Sequence, residues 1–348
     1  MFIGADNVLF SYMGRLDKSE ENSYTFYYAG SMALIKCSGK SFAVRVRNHH
    51  LHSVPQIGFV IDGVVKKADL PYDDAIHDIT LCDNLDDAMH EIIIYKSHGA
   101  HNYFDFFGII CDDNAKLEKC VLPERKIEWY GDSVSVGEVC EAEDCCAAHD
   151  PEGHNGRFDN SWYSFAMQTA RLLNSQIHNI AQGGIALRDN TGYYDSGKVG
   201  LETVYNKTCY LPHIGYTEWD FSKYIPDVVV IAIGQNDTHN EFGDDFDIEN
   251  PEYRKIWKNA YLDFLKNLRS HYPDAYFVLC TTVLMHSIEW DKAIDEVKEK
   301  SGDSKIYRIY FSRNGKATPG HPRISEQTEM ARELAQFIQA SGMTCCEK

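Results

Sequence analysis

The sequence predicts an α/β fold: a parallel sheet with flanking helices, preceded by an all-β sandwich domain. Three observations carry this. Residues 1–120 hold short alternating runs broken by turn residues, without a helical period. From about residue 125, apolar strands alternate with amphipathic helices. Between them lies a charged connection, Asp112–Arg125, ending in Leu122-Pro123-Glu124. Many short strands with regular turns read as an antiparallel sandwich, and alternating strands and helices as a parallel sheet covered on both faces. The expected domains are therefore 1–120 and 125–342.

In chain order, the front strands are expected at Tyr24–Tyr28, Met32–Cys37, Phe42–Val46, Gly58–Ile61, His90–Tyr95 and Tyr103–Cys111. Ser38-Gly39, Asp62-Gly63 and His98-Gly99 separate them. Ile61-Asp62-Gly63-Val64-Val65 predicts a tight hairpin, because Asp-Gly readily takes the positive dihedrals such a turn requires. In the second half, strands are expected at Lys126–Tyr130, Gln176–Ile180, Asp227–Ile233, Ala275–Thr281 and Ile306–Phe311. Helices are expected at about 160–174, 251–271, 289–300 and 325–340. The last of these sets Met330, Leu334, Phe337 and Ile338 on one face at three-to-four spacing.

Composition excludes several classes. Across 348 residues, 34 Lys+Arg against 52 Asp+Glu give a net charge of −18, which disfavours nucleic acid and anionic membranes as partners. The longest apolar stretch, Val228–Ile233, is far short of the ~18 residues that span a bilayer. The opening MFIGADNVLF lacks a basic segment followed by an apolar one. Eleven cysteines are an odd number and read as reduced thiols. The expected setting is cytoplasmic; oligomeric state is left open.

Four short motifs fall just beyond candidate strands, where open parallel sheets place their active sites. Gly131-Asp132-Ser133 follows the first strand, where a serine can expose its hydroxyl and turn its N–H toward a developing oxyanion. Gly183-Gly184 follows the second, where a glycine N–H can approach a substrate closely. Gly234-Gln235-Asn236-Asp237 follows the third and offers a side-chain amide. His321-Pro322 precedes the last helix and can supply a general base. Alone each is weak: Gly-Asp-Ser and Gly-Gln-Asn-Asp also read as turns, and any one histidine is more often not catalytic. Together they point to nucleophilic acyl chemistry.

This order and these motifs resemble the SGNH (GDSL-type) hydrolases over about residues 125–340. Gly131 to Gly137 (GDSVSVG) matches the first block, Gly234-Gln235-Asn236-Asp237 the third, and His321-Pro322 with Glu326, Met330 and Leu334 the fifth. The glycine of the second block is assigned to Gly184, with Gly183 as alternate. The resemblance implies a flavodoxin-like parallel sheet, Ser133 as nucleophile, and His321 as base. It further implies an oxyanion hole formed by Ser133, Gly184 and Asn236, with Asp132 and Asp237 as supports. No cofactor or metal is implied.

A sandwich in front narrows the resemblance to carbohydrate esterase family two, the acetyl-xylan and related O-acetyl esterases. Gly14-Arg15-Leu16-Asp17, the Val60-Ile61-Asp62-Gly63 hairpin, and the Ile93–His98 strand leading into Phe106-Phe107-Gly108 are similar to that family's jelly-roll domain. Ala317-Thr318-Pro319-Gly320, before His321, contains no acid. By resemblance this implies a Ser–His dyad whose imidazole is held by a backbone carbonyl, of Gly320 or Thr318. The implied substrates are acetylated xylan or mannan fragments. The alternatives are a lipase or thioesterase, which would want an apolar groove, and a silent glycan binder. The loops Asp150–Asn160, Asp189–Asp195 and Thr238–Asp247 are polar instead.

Cys140, Cys145, Cys146, His149 and His154 crowd one loop, but lack the paired spacing of a structural zinc site. Trp162, Trp219 and Trp290 read as core rather than sugar platforms, and Cys345-Cys346 as a frayed tail.

Overall fold

The structure, a computed structural model, describes residues 1–18, 21–99, 102–238, 247–284 and 286–343. Cys345-Cys346 and positions 239–246 of the third polar loop lie outside the described residues. The front region contains β1 (Phe2–Gly4), β2 (Ser11–Met13), β3 (Leu16–Asp17), β4 (Tyr24–Phe26), β5 (Met32–Gly39) and β6 (Phe42–His50). It continues with β7 (Gln56–Ile61), β8 (Val64–Asp69), β9 (Ile76–Cys82), β10 (Ala88–Tyr95), β11 (Asn102–Cys111) and β12 (Leu117–Glu118). The second half holds β13 (Arg125–Gly131), α1 (Ser133–Val136), α2 (Phe165–Leu172), β14 (Ser175–Ala181), α3 (Leu201–Val204) and β15 (Val228–Ala232). After these come α4 (Pro251–His271), β16 (Tyr276–Cys280), α5 (Ile288–Ser301), β17 (Ile306–Arg308) and α6 (Ile324–Ala340).

Two antiparallel sheets form the front region. One runs β3-β4-β11-β6-β9 with β1 on β11, the other β12-β5-β10-β7-β8 with β2 on β5. Phe26, Val44, Val46, Phe104 and Phe106 of the first sheet share a core with Ile35, Phe59, Ile61, Ile92 and Ile94 of the second. In the β7–β8 hairpin Ile61 pairs with Val64, and Asp62 and Gly63 both have positive φ, 48° and 81°. That is the mirror-image turn whose twist matches the strands it joins.

The parallel sheet has the order β14-β13-β15-β16-β17, the 2-1-3-4-5 arrangement of flavodoxin-like folds. Both faces are covered. Val229 and Ile231 pack with Trp257, Tyr261 and Phe264 of α4, whereas Val228 and Val230 pack with Phe165 of α2 and Leu334 of α6. The outer face of the second front sheet is also buried, because Met32, Leu34, Val60, Ile93 and Tyr95 join that α2–α6 core. Buried on both faces, Met32–Ile35 is a continuous apolar run rather than an alternating one.

Two elements fall furthest short of expectation. The helix expected over 160–174 is α2 alone, because residues 161–163 form a tighter turn and Ser164 caps the helix through Met167 N–H. The last strand stops at Arg308 instead of Phe311. At this sheet edge the Arg308 guanidinium donates to the Leu279 carbonyl at 3.3 Å.

A buried ion pair ties the front region to the sheet. Arg15 donates to Glu128 Oε1 at 2.6 Å and to the Tyr130 hydroxyl at 3.1 Å, with both charged side chains fully buried. Its other nitrogen donates to the carbonyls of Tyr205 and Lys207 at 2.6 and 3.1 Å. Arg15→Met is expected to destabilise the protein by ~3–5 kcal/mol, because Glu128 is left charged and buried. Adding Glu128→Leu should recover much of the loss. Denaturant unfolding of the single and double variants checks this, and a double variant no better than Arg15→Met would contradict it.

Candidate active site

The carboxyl ends of β13, β14 and β15 open on a cleft of about 880 Å³. Ser133, Gly184, Asn236 and His321 all line it. Ser133 begins α1 immediately after β13. There Asp132 caps the helix, accepting from Val134 N–H at 3.0 Å. Gly184 has a φ of +72°, and a Cβ there would meet Tyr193 Cβ at 2.8 Å, so the turn is open only to glycine. Asn236 donates one amide hydrogen to the Ile185 carbonyl at 3.0 Å, which fixes the side chain beside the Gly183-Gly184 turn. Gly183 also lines the cleft.

Ser133 Oγ lies 2.9 Å from His321 Nε2. On the far side of the ring, Nδ1 lies 2.6 Å from Asp150 Oδ2. The expected carbonyl partner, from Gly320 or Thr318, is therefore corrected: the imidazole is oriented by a carboxylate. Asp150 also accepts from His321 N–H at 3.0 Å and from the Arg323 guanidinium at 2.7 Å. Arg323 is fully buried and donates further to the His321 carbonyl at 2.9 Å.

The electrostatics follow from these contacts. Burial works to raise the Asp150 pKa, but hydrogen bonds and charge from His321 and Arg323 outweigh it and hold the carboxyl well below its usual range. An ionised carboxylate only accepts, so Nδ1 carries the proton and Nε2 is left to accept from the serine hydroxyl. For His321, burial lowers the pKa, but the Asp150 hydrogen bond and the charges of Glu138, Asp150 and Asp159 raise it above the ordinary imidazole value.

The two supporting acids are buried. Asp132 also accepts from Gln235 Nε2 at 2.9 Å, which links the first motif to the third, and burial pushes its carboxyl up to about 7. Asp237 accepts from Leu187 N–H at 3.0 Å and Trp257 Nε1 at 2.8 Å, and burial pushes it up to about 6. Neither lines the cleft.

Sequence reasoning passed over Asp150 because it looked for an acid just before His321. Asp150 lies 171 residues from His321 in sequence, in the loop read for its cysteines and histidines. A signal was present in Arg323. An arginine at a helix N-terminus opposes the helix dipole and calls for a carboxylate nearby. Within the crowded loop, Cys140 is buried with Sγ 3.4 Å from the Asn160 carbonyl, and His154 Nδ1 accepts from Gly156 N–H at 3.2 Å. Among the described residues no group of three or more His, Cys, Asp or Glu is placed to hold a metal ion. Arg171 lies over the Trp162 ring and Arg15 over the Trp219 ring, and Trp290 meets Trp257 edge to face; none of the three tryptophans lines the cleft.

The front region supplies one wall of the cleft, through Leu51 and His52. These follow β6 in a loop closed by the His50 Nε2–Ser53 carbonyl contact at 2.9 Å. Val54 N–H ties that loop to the Asn155 carbonyl at 2.9 Å. Among the described residues no helix is long and apolar enough to cross a membrane.

Comparison with known proteins agrees with this architecture. Residues 12–120 match the family model described as Carbohydrate esterase 2 N-terminal. The chain is 28% identical over 347 residues to the cellulase/esterase CelE of Acetivibrio thermocellus, covering 96% of this chain but 39% of that protein. It is 26% identical over 339 residues to the acetylxylan esterase / glucomannan deacetylase of Cellvibrio japonicus, covering 95% of this chain and 88% of that one. A family two carbohydrate esterase from Clostridium thermocellum, solved in complex with cellohexaose, superposes with a TM-score of 0.79 at 26% identity. That match covers 96% of this chain and 100% of the solved one. Sandwich, flavodoxin-like sheet and SGNH motifs together, the chain resembles the SGNH-type hydrolases of carbohydrate esterase family two.

Proposed function

We propose that the protein is a serine esterase that removes O-acetyl groups from acetylated oligosaccharides of the xylan or mannan type. The observation that supports this most is the relay Ser133–His321–Asp150 at the floor of a cleft that also presents Gly184 and Asn236. Ser133 Oγ attacks the acetyl carbonyl carbon while Nε2 of His321 takes its proton. The tetrahedral oxyanion is met by the N–H groups of Ser133 and Gly184 and by the Asn236 amide. Collapse breaks the bond to the sugar oxygen, which leaves with the proton from Nε2. Water then repeats the sequence on the acetyl-serine and releases acetate. The carboxylate of Asp150 keeps Nδ1 protonated and stabilises the imidazolium through both halves.

Kinship with proteins named acetylxylan esterase and glucomannan deacetylase supports the choice of acyl group and sugar. The cleft's lining sets the polar His52, Glu138, His149, Asp195 and His213 beside the apolar Leu51, Leu211, Pro212 and Leu284, so acyl chain length is decided by assay. With 4-nitrophenyl esters we expect acetate to be cleaved well, butyrate poorly and octanoate not at all. Comparable rates on acetate and octanoate would favour a lipase, and no turnover would favour a glycan binder.

Asn236→Ala is expected to lower kcat by ~10²–10³ with little change in KM, because an oxyanion donor serves the transition state more than the bound ester. Steady-state kinetics on 4-nitrophenyl acetate checks this. A rise in KM at constant kcat would instead place Asn236 in ground-state binding.

A further inference from the structure

The acid of the relay sits on a loop with little structure of its own. From Glu141 to Arg157 the chain carries one short 3-10 turn, Glu143–Cys145, and Asp150 lies between its ends. Arg323 grips the loop from the catalytic side, donating to Asp150 Oδ1 at 2.7 Å and to the Cys145 carbonyl at 3.3 Å. The neck is held from the sandwich. Lys67 Nζ donates to the carbonyls of Arg157 and Asp159 at 2.8 and 2.9 Å and lies 2.6 Å from Glu141 Oε2. An ammonium has three hydrogens to give, and here three acceptors from both sides of the neck converge on it. The other Glu141 oxygen accepts from Asn160 Nδ2 at 2.6 Å, and Glu141 N–H donates to the Phe158 carbonyl at 3.0 Å. The strand that carries Lys67 explains its direction. β8 is the edge of its sheet, where lysines ordinarily keep other strands away. Val64 and Lys66 are indeed exposed, but Val65 packs on the α2–α6 core. Side chains alternate along a strand, so Lys67, two residues on, shares that face, with its side chain 12% exposed.

We propose that Lys67 is a positioning residue for the esterase reaction. Through this ammonium the sandwich holds the neck of the 141–157 loop, so that Asp150 meets Nδ1 of His321. This rests on the esterase reading above and deepens it, because the sandwich then takes part in the chemistry and does not merely wall the cleft. Without Lys67 the part-buried Glu141 carboxylate loses its cation and two neck carbonyls lose their donor. The neck is then free to open, and a displacement on the order of 1 Å at a positioned group is enough to slow the chemistry markedly.

The test follows kcat/KM on 4-nitrophenyl acetate against pH in the whole protein, in Lys67→Met and in the milder Lys67→Gln. Asp150, Glu138 and Asp159 raise the His321 pKa against the effect of burial. A slackened Asp150 loses part of that push, so the acid limb should move to lower pH while the plateau falls by about tenfold or more. Loss of the lysine's own positive charge would drive the limb the other way, so the direction separates positioning from a plain charge effect. The limb's place on the pH axis does not depend on how much of the protein is folded. In the Asp150→Asn background the same lysine changes should leave limb and plateau where they are, because the contact through which they act is gone. Unmoved limbs in both variants, a shift to higher pH, or an equal fall in both backgrounds overturns the proposal. Absence of turnover by the unaltered protein would instead overturn the esterase reading.

Discussion

Replacing Ser133 with alanine is expected to cut the turnover of 4-nitrophenyl acetate by ~10⁵–10⁶, down to what the oxyanion donors achieve with water alone. The reason is chemical. Without Oγ there is no acyl-enzyme, and His321 has no hydroxyl from which to take a proton. The fold should hardly notice. Among the described residues the Ser133 side chain makes one hydrogen bond, to His321 at 2.9 Å, and the α1 turn around it is held by other contacts. Asp132 caps that turn, and Gln327 Nε2 donates to the Val134 carbonyl at 3.2 Å. A loss of ~1 kcal/mol shifts a midpoint by roughly 2–4 °C. Calorimetry beside the esterase assay therefore separates lost chemistry from lost structure. Turnover at the unaltered level would remove Ser133 from the mechanism.

Asp150→Asn carries the second largest expected effect and discriminates more sharply. If a backbone carbonyl oriented His321, this change would matter little. With Asp150 Oδ2 at 2.6 Å from Nδ1, kcat is expected to fall by ~10³–10⁴, because an amide can present its N–H to Nδ1 and favour the wrong tautomer. The pH profile should move as well. The imidazole must be neutral to act as base, so kcat/KM rises with pH through the His321 pKa, which lies above the usual ~6.5. Removing the Asp150 charge takes away much of that upward push, leaving burial, which lowers the pKa, against Glu138 and Asp159. The acid limb should thus move to lower pH while the plateau drops. An unmoved limb with an unchanged plateau would restore the dyad.

The same pair makes a statement about stability. The depressed Asp150 pKa contributes stability that is present above the unfolded value near ~3.9 and is lost as pH falls. The raised His321 pKa contributes stability that is complete below ~6.5 and is lost as pH rises through the folded value. The pair therefore stabilises the fold most between about pH 4 and 6.5, and the Asn variant should lose most stability in that window.

Much of the architecture was legible because it rests on local rules. The Asp62-Gly63 turn, the period of α6 and the continuous apolar stretch of β15 each follow from side-chain chemistry within a few residues. The motif positions followed too, since a Gly-Asp-Ser or Gly-Gln-Asn-Asp after an apolar strand has one place to go in a parallel sheet. Ser133, Gly184, Asn236 and His321 were named from such local contexts, and the fold gathers them around one cleft.

What the sequence could not supply were relations between distant residues. Asp150 reaches His321 across 171 positions, and Glu138 faces it from the loop beyond α1. Arg15 finds Glu128 across 113 positions, and Leu51 with His52 enters the cleft from the sandwich. None of these has a local signature, because a carboxylate on a polar loop looks the same whether it meets water or an imidazole. By itself, the sequence determined the order of the longer elements and the residues at the strand ends, but not the short or edge strands β1–β3, β9 and β12, whose few residues carry little periodicity. Only the tertiary structure decided which carboxylate contacts the histidine and which residues of the sandwich reach the cleft, since both depend on where two distant loops are held in space.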